Sequence, residues 1–307
     1  MKIKGYYTLR CSDVIEDISI YNETLDELDG FEYEIKHQNV SGILTFKIAD
    51  DEKQISQVKD FEKFNFPWCD NILIIEGSLM CENENPGFII EKRIRDLFIL
   101  ISICKNGIVD YPAGELFSDK IHIHSCDSFV HSIDFVVLSA KKNKWPNLSS
   151  ISIKESIMWW GNYYNSMDSI SENKIGRAIN AYSHLFNSSG GSDDPAKLFW
   201  ALVGIEAIYV LGNSSLQEQV NKKTQIFLGE RHEFKKRFSK MYDYRSRFVH
   251  GDLNFENKYF IETKKIEDHL SDFWSNRDFA ISILVATFQK LIVENRHNLE
   301  FDFVIKE

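Results

Sequence analysis

Lys141-Lys-Asn-Lys-Trp-Pro-Asn-Leu-Ser-Ser150 is the stretch on which the architecture turns. It is polar, it carries a proline, and the hydrophobic period changes from about two before it to about 3.6 after it, which marks a boundary between differently built parts of the chain. The reading that follows is an α+β protein. A mixed, β-rich domain over residues 1–148 precedes an all-helical domain over 149–307.

Before the boundary, short β-branched and aromatic runs are separated by Gly, Asn, Asp and Pro, the signals of strands and turns. Strands are expected over Gly42–Ile48, Asn71–Glu76, Lys120–His124 and Ile133–Leu138. Glu91–Cys104 reads as a helix, because Ile94, Leu97, Phe98 and Ile101 recur at helical spacing.

After the boundary, six helices are expected: Lys154–Tyr164, Glu172–Phe186, Asp194–Leu211, Leu216–Leu228, His232–Val249 and Thr263–Glu294. Ser171 is positioned to cap the second, Asp194 and Pro195 open the third, and Gly212 and Gly251 follow two C-termini. In Asp194–Leu211 the stripe of Leu198, Leu202, Ile205 and Ile208 is widened by Phe199, Trp200, Val203 and Tyr209, so this helix belongs in the middle of a bundle. Trp159, Trp160, Tyr163 and Tyr164 fit a core or a dimer interface better than a surface for stacking bases. Ser188–Asp194 is expected to be a flexible loop.

The chain has 307 residues, 43% hydrophobic and 27% charged, which excludes disorder and fibrous repeats and allows two cores. No apolar run approaches the roughly 20 residues of a membrane-spanning helix, and the N-terminus lacks the apolar centre of a signal peptide, so a cytoplasmic protein without a membrane partner is expected. Five cysteines, all in the first half and without a C-x-x-C pair, read as reduced thiols, mostly in the core. His122, His124 and Cys126 alternate on an expected strand, but no fourth ligand stands near them at a telling spacing, and surface or core roles explain them better than a metal. No metal or other cofactor is expected. The absence of G-x-x-x-x-G-K-[ST], H-E-x-x-H and G-x-S-x-G removes the motifs of nucleotide-binding loops, zinc proteases and serine hydrolases.

The net charge of −10 is unevenly shared. Residues 1–150 carry 16 Lys and Arg against 25 Asp and Glu, whereas Lys222–Arg247 holds nine basic groups against three acidic ones. Salt screens fields beyond about 10 Å, so such a stretch can attract phosphates on an acidic molecule.

Within it, Lys240-Met-Tyr-Asp-Tyr-Arg-Ser-Arg-Phe-Val-His-Gly-Asp252 places Arg245 and His250 five residues apart. Cleaving RNA by transesterification needs one group to take the 2′-hydroxyl proton, one to protonate the leaving 5′-oxygen and a cation for the phosphorane. Histidine near a helix C-terminus suits proton transfer, and the guanidinium fork of arginine bonds two phosphate oxygens at once. Five steps of about 100° put His250 some 140° around the helix from Arg245, so the histidine is expected to turn back where Gly251 ends the helix.

Lys174-Ile-Gly-Arg-Ala-Ile-Asn180, Gly204-Ile-Glu-Ala-Ile-Tyr209 and Val220-Asn-Lys-Lys-Thr-Gln-Ile-Phe-Leu-Gly229, followed by the Arg245–His250 segment, resemble in order and spacing the HEPN superfamily, most closely its ApeA-like branch. The resemblance covers roughly Lys174–Asp252 and implies a helical bundle that forms a homodimer, bringing two R-x4-6-H motifs into one cleft. It further implies a metal-independent endoribonuclease acting in antiviral defence as an abortive-infection toxin, cutting tRNA or other single-stranded RNA to leave 2′,3′-cyclic phosphate. Arg245 and His250 match the family motif, and the family's acidic residue on a core helix corresponds to Glu206. Glu206 either orients Arg245 or His250, or pairs with Arg177 or another base in the bundle. Arg247, Ser246, Tyr244 and Lys240 are the candidate substrate contacts. Ser246 departs from the Asn, His or Asp common after the arginine in active members. A phage-derived trigger or regulator is expected on the N-terminal domain, acting as sensor or adaptor. The competing reading is a non-catalytic HEPN module for dimerisation or RNA binding.

Overall fold

The computed structural model describes residues 1–12, 17–37, 40–49, 69–81, 86–118, 122–164, 170–186, 196–212, 215–231, 235–254 and 264–301; for 122–129, 235 and 265–269 it describes the backbone alone. The fold is α+β, with a β-rich N-terminal part and a helical remainder. The chain divides into two units, Met1–Asp134 with Ser150–Ile157, and Phe135–Ser149 with Met158–Glu307. It therefore leaves the sheet unit at Asp134 rather than at 148, and returns to it for Ser150–Ile157.

The first unit is built on one six-stranded sheet in the order β2-β3-β4-β1-β5-β6, every described pairing antiparallel. Its strands are β1 (Lys2–Cys11), β2 (Glu32–His37), β3 (Val40–Ala49), β4 (Asn71–Cys81), β5 (Val109–Ser118) and β6 (His122–Val130). Helix α1 (Ser19–Leu28) follows β1 and helix α2 (Gly87–Cys104) follows β4. Helix α2 is apolar around most of its circumference and buries Ile90, Ile94, Leu97, Phe98 and Ile101, as a helix inside a core must. Phe98 stacks on Tyr111 of β5 at 3.8 Å between ring centroids and meets Tyr7 of β1 edge-on at 5.0 Å. A smaller cluster gathers Tyr6, Ala49 and Ile72, with Cys69, Ile74 and Phe117 against it.

Lys105, just after α2, has no exposed side-chain surface, and its ammonium bonds Glu23 and Glu27 at 2.6 Å each and Ser150 at 3.0 Å. Glu27 also accepts from the Ile153 amide at 2.6 Å, so one buried cation ties α1 to the returning segment. The hydrogen bonds from Lys105 hold the Glu23 carboxyl below its usual range, and the two carboxylates raise the Lys105 ammonium against the opposing effect of its burial.

The second unit comprises α3 (Phe135–Asn143), most of α4 (Ile153–Tyr163), α5 (Lys174–Ser183) with a 3-10 turn over His184–Phe186, α6 (Ala196–Tyr209), α7 (Leu216–Leu228), α8 (Lys235–His250) and α9 (Lys264–Val293). Helix α3 replaces the strand expected over Ile133–Leu138. Its Val136, Ser139, Ala140 and Asn143 are buried at helical spacing, and Lys141 and Lys142 occupy the last turn, where cations are favoured. Asn173, not Ser171, caps α5, accepting from the Gly176 amide at 2.7 Å. The expected starts at Asp194, His232 and Thr263 and the loop Ser188–Asp194 lie outside the described residues. Trp159 and Trp160 are buried, as core residues should be.

Helix α6 packs against α5, α7, α8 and α9. Gly204 permits a close approach to two of these helices, because a Cβ there would stand 2.8 Å from Leu284 of α9 and 3.3 Å from the Ala178 carbonyl of α5. The end of α6 is fixed by the Tyr209 hydroxyl against Thr287 at 2.9 Å and by the buried ammonium of Lys223, which donates to the Tyr209 carbonyl at 2.8 Å.

Among the described cysteines, Cys104 on α2 is buried and Cys11, Cys69 and Cys81 are only partly so, which corrects the expectation of mostly core thiols: Cys11 and Cys81 are the last residues of β1 and β4, where the strands run out of the core. Among the described residues no helix is long and apolar enough to cross a membrane.

Candidate functional site

Helix α8 supplies most of the candidate residues and α6 supplies one. Tyr242 and Arg245 are one turn apart on α8 and face Glu206 on α6. The Arg245 guanidinium reaches Glu206 at 3.2 Å, with side-chain exposures of 26% and 15%, so the pair is shielded from water but not sealed from it. Arg177, the alternative partner, is exposed on α5. Glu206 thus meets Arg245, one of the partners left open by the sequence.

The ion pair is incompletely satisfied. Oε1 of Glu206, the Tyr242 hydroxyl and Nε of Arg245 are all buried without a hydrogen-bond partner. Burial pushes the Glu206 carboxyl above its ordinary value, and the nearby Arg245 and Tyr242 only partly offset that. The Tyr242 hydroxyl is pushed up in turn, by burial first and then by the Glu206 charge. The two groups influence each other's ionisation, yet the distance and angle of a formed hydrogen bond between them are not met.

His250 is the last residue of α8 and is exposed. The helix closes immediately behind it: Gly251 sits at φ +76°, its amide donates to the Phe248 carbonyl at 3.3 Å, and the Asp252 amide donates to the Arg247 carbonyl at 2.8 Å. This is a Schellman closure with glycine in the left-handed position. Because the reversal begins only at Gly251, α8 is unbroken through His250 and the histidine does not turn back. The offset of about 140° from Arg245 is retained within one chain.

That offset sorts the remaining candidates. On an ideal helix, Lys240, Arg247 and His250 fall within about 80° of one another, on the side away from Arg245. Lys240 is exposed and lies 3.8 Å from Asp272, while Arg247 reaches Asp243 at 4.0 Å and the Asp252 carbonyl at 3.4 Å. Ser246 is exposed, and Tyr244 is half-buried with its ring 6.2 Å from that of Phe273. The structure therefore brings Arg245 to Glu206 and groups Lys240, Arg247 and His250 on a separate solvent face. Tyr242 was missed from the sequence, although its place three residues before Arg245 was a usable signal.

Among the described residues, no group of three or more His, Cys, Asp or Glu is arranged to hold a metal ion, and the side chains of His122, His124 and Cys126 lie outside those described. No family model matches the chain, and no curated protein or solved structure matches it either.

Proposed function

We propose that the helical unit is a metal-independent endoribonuclease of the HEPN type, working as a homodimer on single-stranded RNA such as tRNA in antiviral defence. The observation that carries this reading is Arg245, a permanently charged group held half-buried by Glu206 on the same helix that ends at His250. A guanidinium held by a carboxylate on one edge keeps its other edge for a phosphate, and this pre-orientation is what stabilising a developing phosphorane requires. His250, exposed and fixed by the closure behind it, acts as general base toward the 2′-hydroxyl or as general acid toward the 5′-oxygen. With Arg245 and His250 on different sides of α8, each active centre would combine the arginine and histidine of two copies around a two-fold axis. Lys240, Arg247 and Ser246 then contact the flanking backbone, with Tyr244 beside them. The product would be a 2′,3′-cyclic phosphate. The sheet unit would receive the trigger.

One observation favours a second reading, a non-catalytic module for dimerisation or RNA binding: within a single chain the two motif residues face apart. Labelled tRNA and single-stranded RNA incubated in EDTA with wild type, Arg245→Ala and His250→Ala separate the two. Cleavage to cyclic phosphate that both substitutions abolish supports the enzyme, and equal cutting by all three removes this active centre. Binding without cutting supports the module.

A further inference from the structure

Three polar atoms without partners, on three side chains, surround one ion pair. Oε1 of Glu206, Oη of Tyr242 and Nε of Arg245 are each shielded from solvent and unbonded, while Oε2 of Glu206 alone carries the contact to Arg245. A carboxylate has about four acceptor positions and a phenol one donor, so an unused buried oxygen beside an unused buried hydroxyl is an unmade hydrogen bond rather than two unrelated defects. Tyr242 is 7% exposed, its ring stacks with Phe238 at 5.5 Å, and its position one turn before Arg245 directs both residues to the same carboxylate.

We propose that Tyr242 is a positioning residue for Arg245, acting through Glu206: its hydroxyl donates to Oε1 and keeps the carboxylate anionic, so that Oε2 holds the guanidinium in place. No bond is made or broken, and no proton leaves the cluster while the carboxylate stays charged. The consequence for catalysis rests on the ribonuclease reading; the coupling of Tyr242 to Glu206 does not. Geometry carries the argument, and the ionisation behaviour agrees with it. Helices α5, α7, α8 and α9 all pack on α6, yet among the described residues the charged or titratable groups that act on Glu206 are Arg245 and Tyr242, both from α8. Burial lifts the carboxyl, Arg245 opposes the lift, and the nearby Tyr242 hydroxyl opposes it too. Removing the hydroxyl therefore makes Glu206 easier to protonate, and a neutral Glu206 loses its grip on Arg245.

The test uses the full chain labelled with 13C at Cζ of tyrosine, which gives 12 signals, with Tyr242→Phe identifying the one that matters. In the wild type the Tyr242 signal should move with a midpoint above the ordinary glutamate value, the movement should vanish in Glu206→Gln, and the midpoint should rise in Arg245→Ala. A Tyr242 signal that stays flat, or that titrates identically in Glu206→Gln, overturns the proposal. The decisive spectra come from proteins that retain the tyrosine; if Tyr242→Phe does not fold, the signal is assigned instead as the tyrosine whose titration in the wild type is lost in Glu206→Gln, and the absence of any such signal overturns the proposal. The cleavage arm is read separately: in Tyr242→Phe the acidic limb of the pH–rate profile should move upward by about one unit, a tenfold change in proton affinity. An unmoved limb would refute the positioning role, whereas a wild type that cuts no RNA would refute the ribonuclease reading and leave the spectroscopic result standing.

Discussion

Glu206 makes the most discriminating stability experiment, because a residue that staples the bundle and a residue kept for its charge respond oppositely to neutralisation. Glu206→Gln preserves the shape and removes the charge. The folded carboxyl has its pKa raised above the unfolded 4.5, mainly by burial, so the folded state binds the extra proton more tightly than the unfolded chain. Stability then declines as pH rises from 4.5 through the folded value, and at neutral pH the charged side chain costs stability despite Arg245. Glu206→Gln is accordingly expected within about 1 kcal/mol of wild type at pH 7, on the stabilising side, since exchanging a buried ion for a neutral group of equal size is often neutral or favourable. Arg245→Ala should behave differently. Removing one partner of a fully buried pair costs about 3 to 5 kcal/mol; with side chains 26% and 15% exposed the loss is discounted to about 2 kcal/mol. The double variant should recover part of that. Five of the six tryptophans, at 145, 159, 160, 200 and 274, lie in the helical unit, so urea unfolding followed by tryptophan fluorescence reports on it selectively. The advantage of Glu206→Gln should shrink as pH falls toward 4.5. A loss above about 2 kcal/mol in Glu206→Gln together with less than about 1 kcal/mol in Arg245→Ala would refute the reasoning and make Glu206 a structural staple.

Three further outcomes are expected. Lys105→Ala should destabilise the sheet unit by about 3 kcal/mol at pH 7, the lower end of the range for an abandoned buried partner because Glu23 is 47% exposed. Read by hydrogen exchange of the β1 and β4 amides, this difference should diminish as pH falls below 4.5, where the lowered pKa of Glu23 makes its contribution disappear. Gly251→Ala should cost about 1 kcal/mol, measured as a lower unfolding midpoint, because a side chain at φ +76° is strained. His250→Ala should leave stability within about 0.5 kcal/mol, as expected for an exposed residue, while abolishing RNA cleavage; a large stability loss would disqualify it as a clean probe of chemistry.

The helical half was easier to read than the sheet half. All six of its expected helices have at least one end within two residues of the observed element, because long amphipathic segments repeat their signal over many turns. Helix α3 escaped because Phe135-Val-Val-Leu138 begins with residues that favour strands, and its four buried positions emerge only once the polar Ser139 and Asn143 are counted. Strand β1 went unread for the opposite reason. As a central strand it buries Gly5, Tyr6, Tyr7, Thr8 and Leu9 consecutively, so no alternation of polar and apolar residues exists to detect. Strand β5 is interrupted by Pro112 and Gly114, which read as a turn. At the candidate site, Arg245 and His250 are singled out by type and spacing, and Glu206 by the family resemblance alone. The pairing of Glu206 with Arg245 was one of several options, since a contact across 39 residues leaves no local trace. The expected orientation of His250 differs from the observed one because the sequence reading ends the helix at Val249 and frees the histidine, whereas α8 runs through His250 and the left-handed turn comes at Gly251.

The strand order also sets a timetable for synthesis. Strand β1 is made first but sits between β4 and β5, so it waits for residues 71–81 and 109–118 to emerge, and the sheet unit is closed only when Ser150–Ile157 arrives to meet Lys105 and Glu27. At about 5 to 20 residues per second, His250 follows that closing segment by roughly 5 to 20 seconds. A nascent chain therefore has time to complete its first unit before the segment bearing Arg245 and His250 leaves the ribosome. For a protein whose last unit is proposed to attack RNA, the hazardous half is born behind a neighbour that has already had the chance to fold.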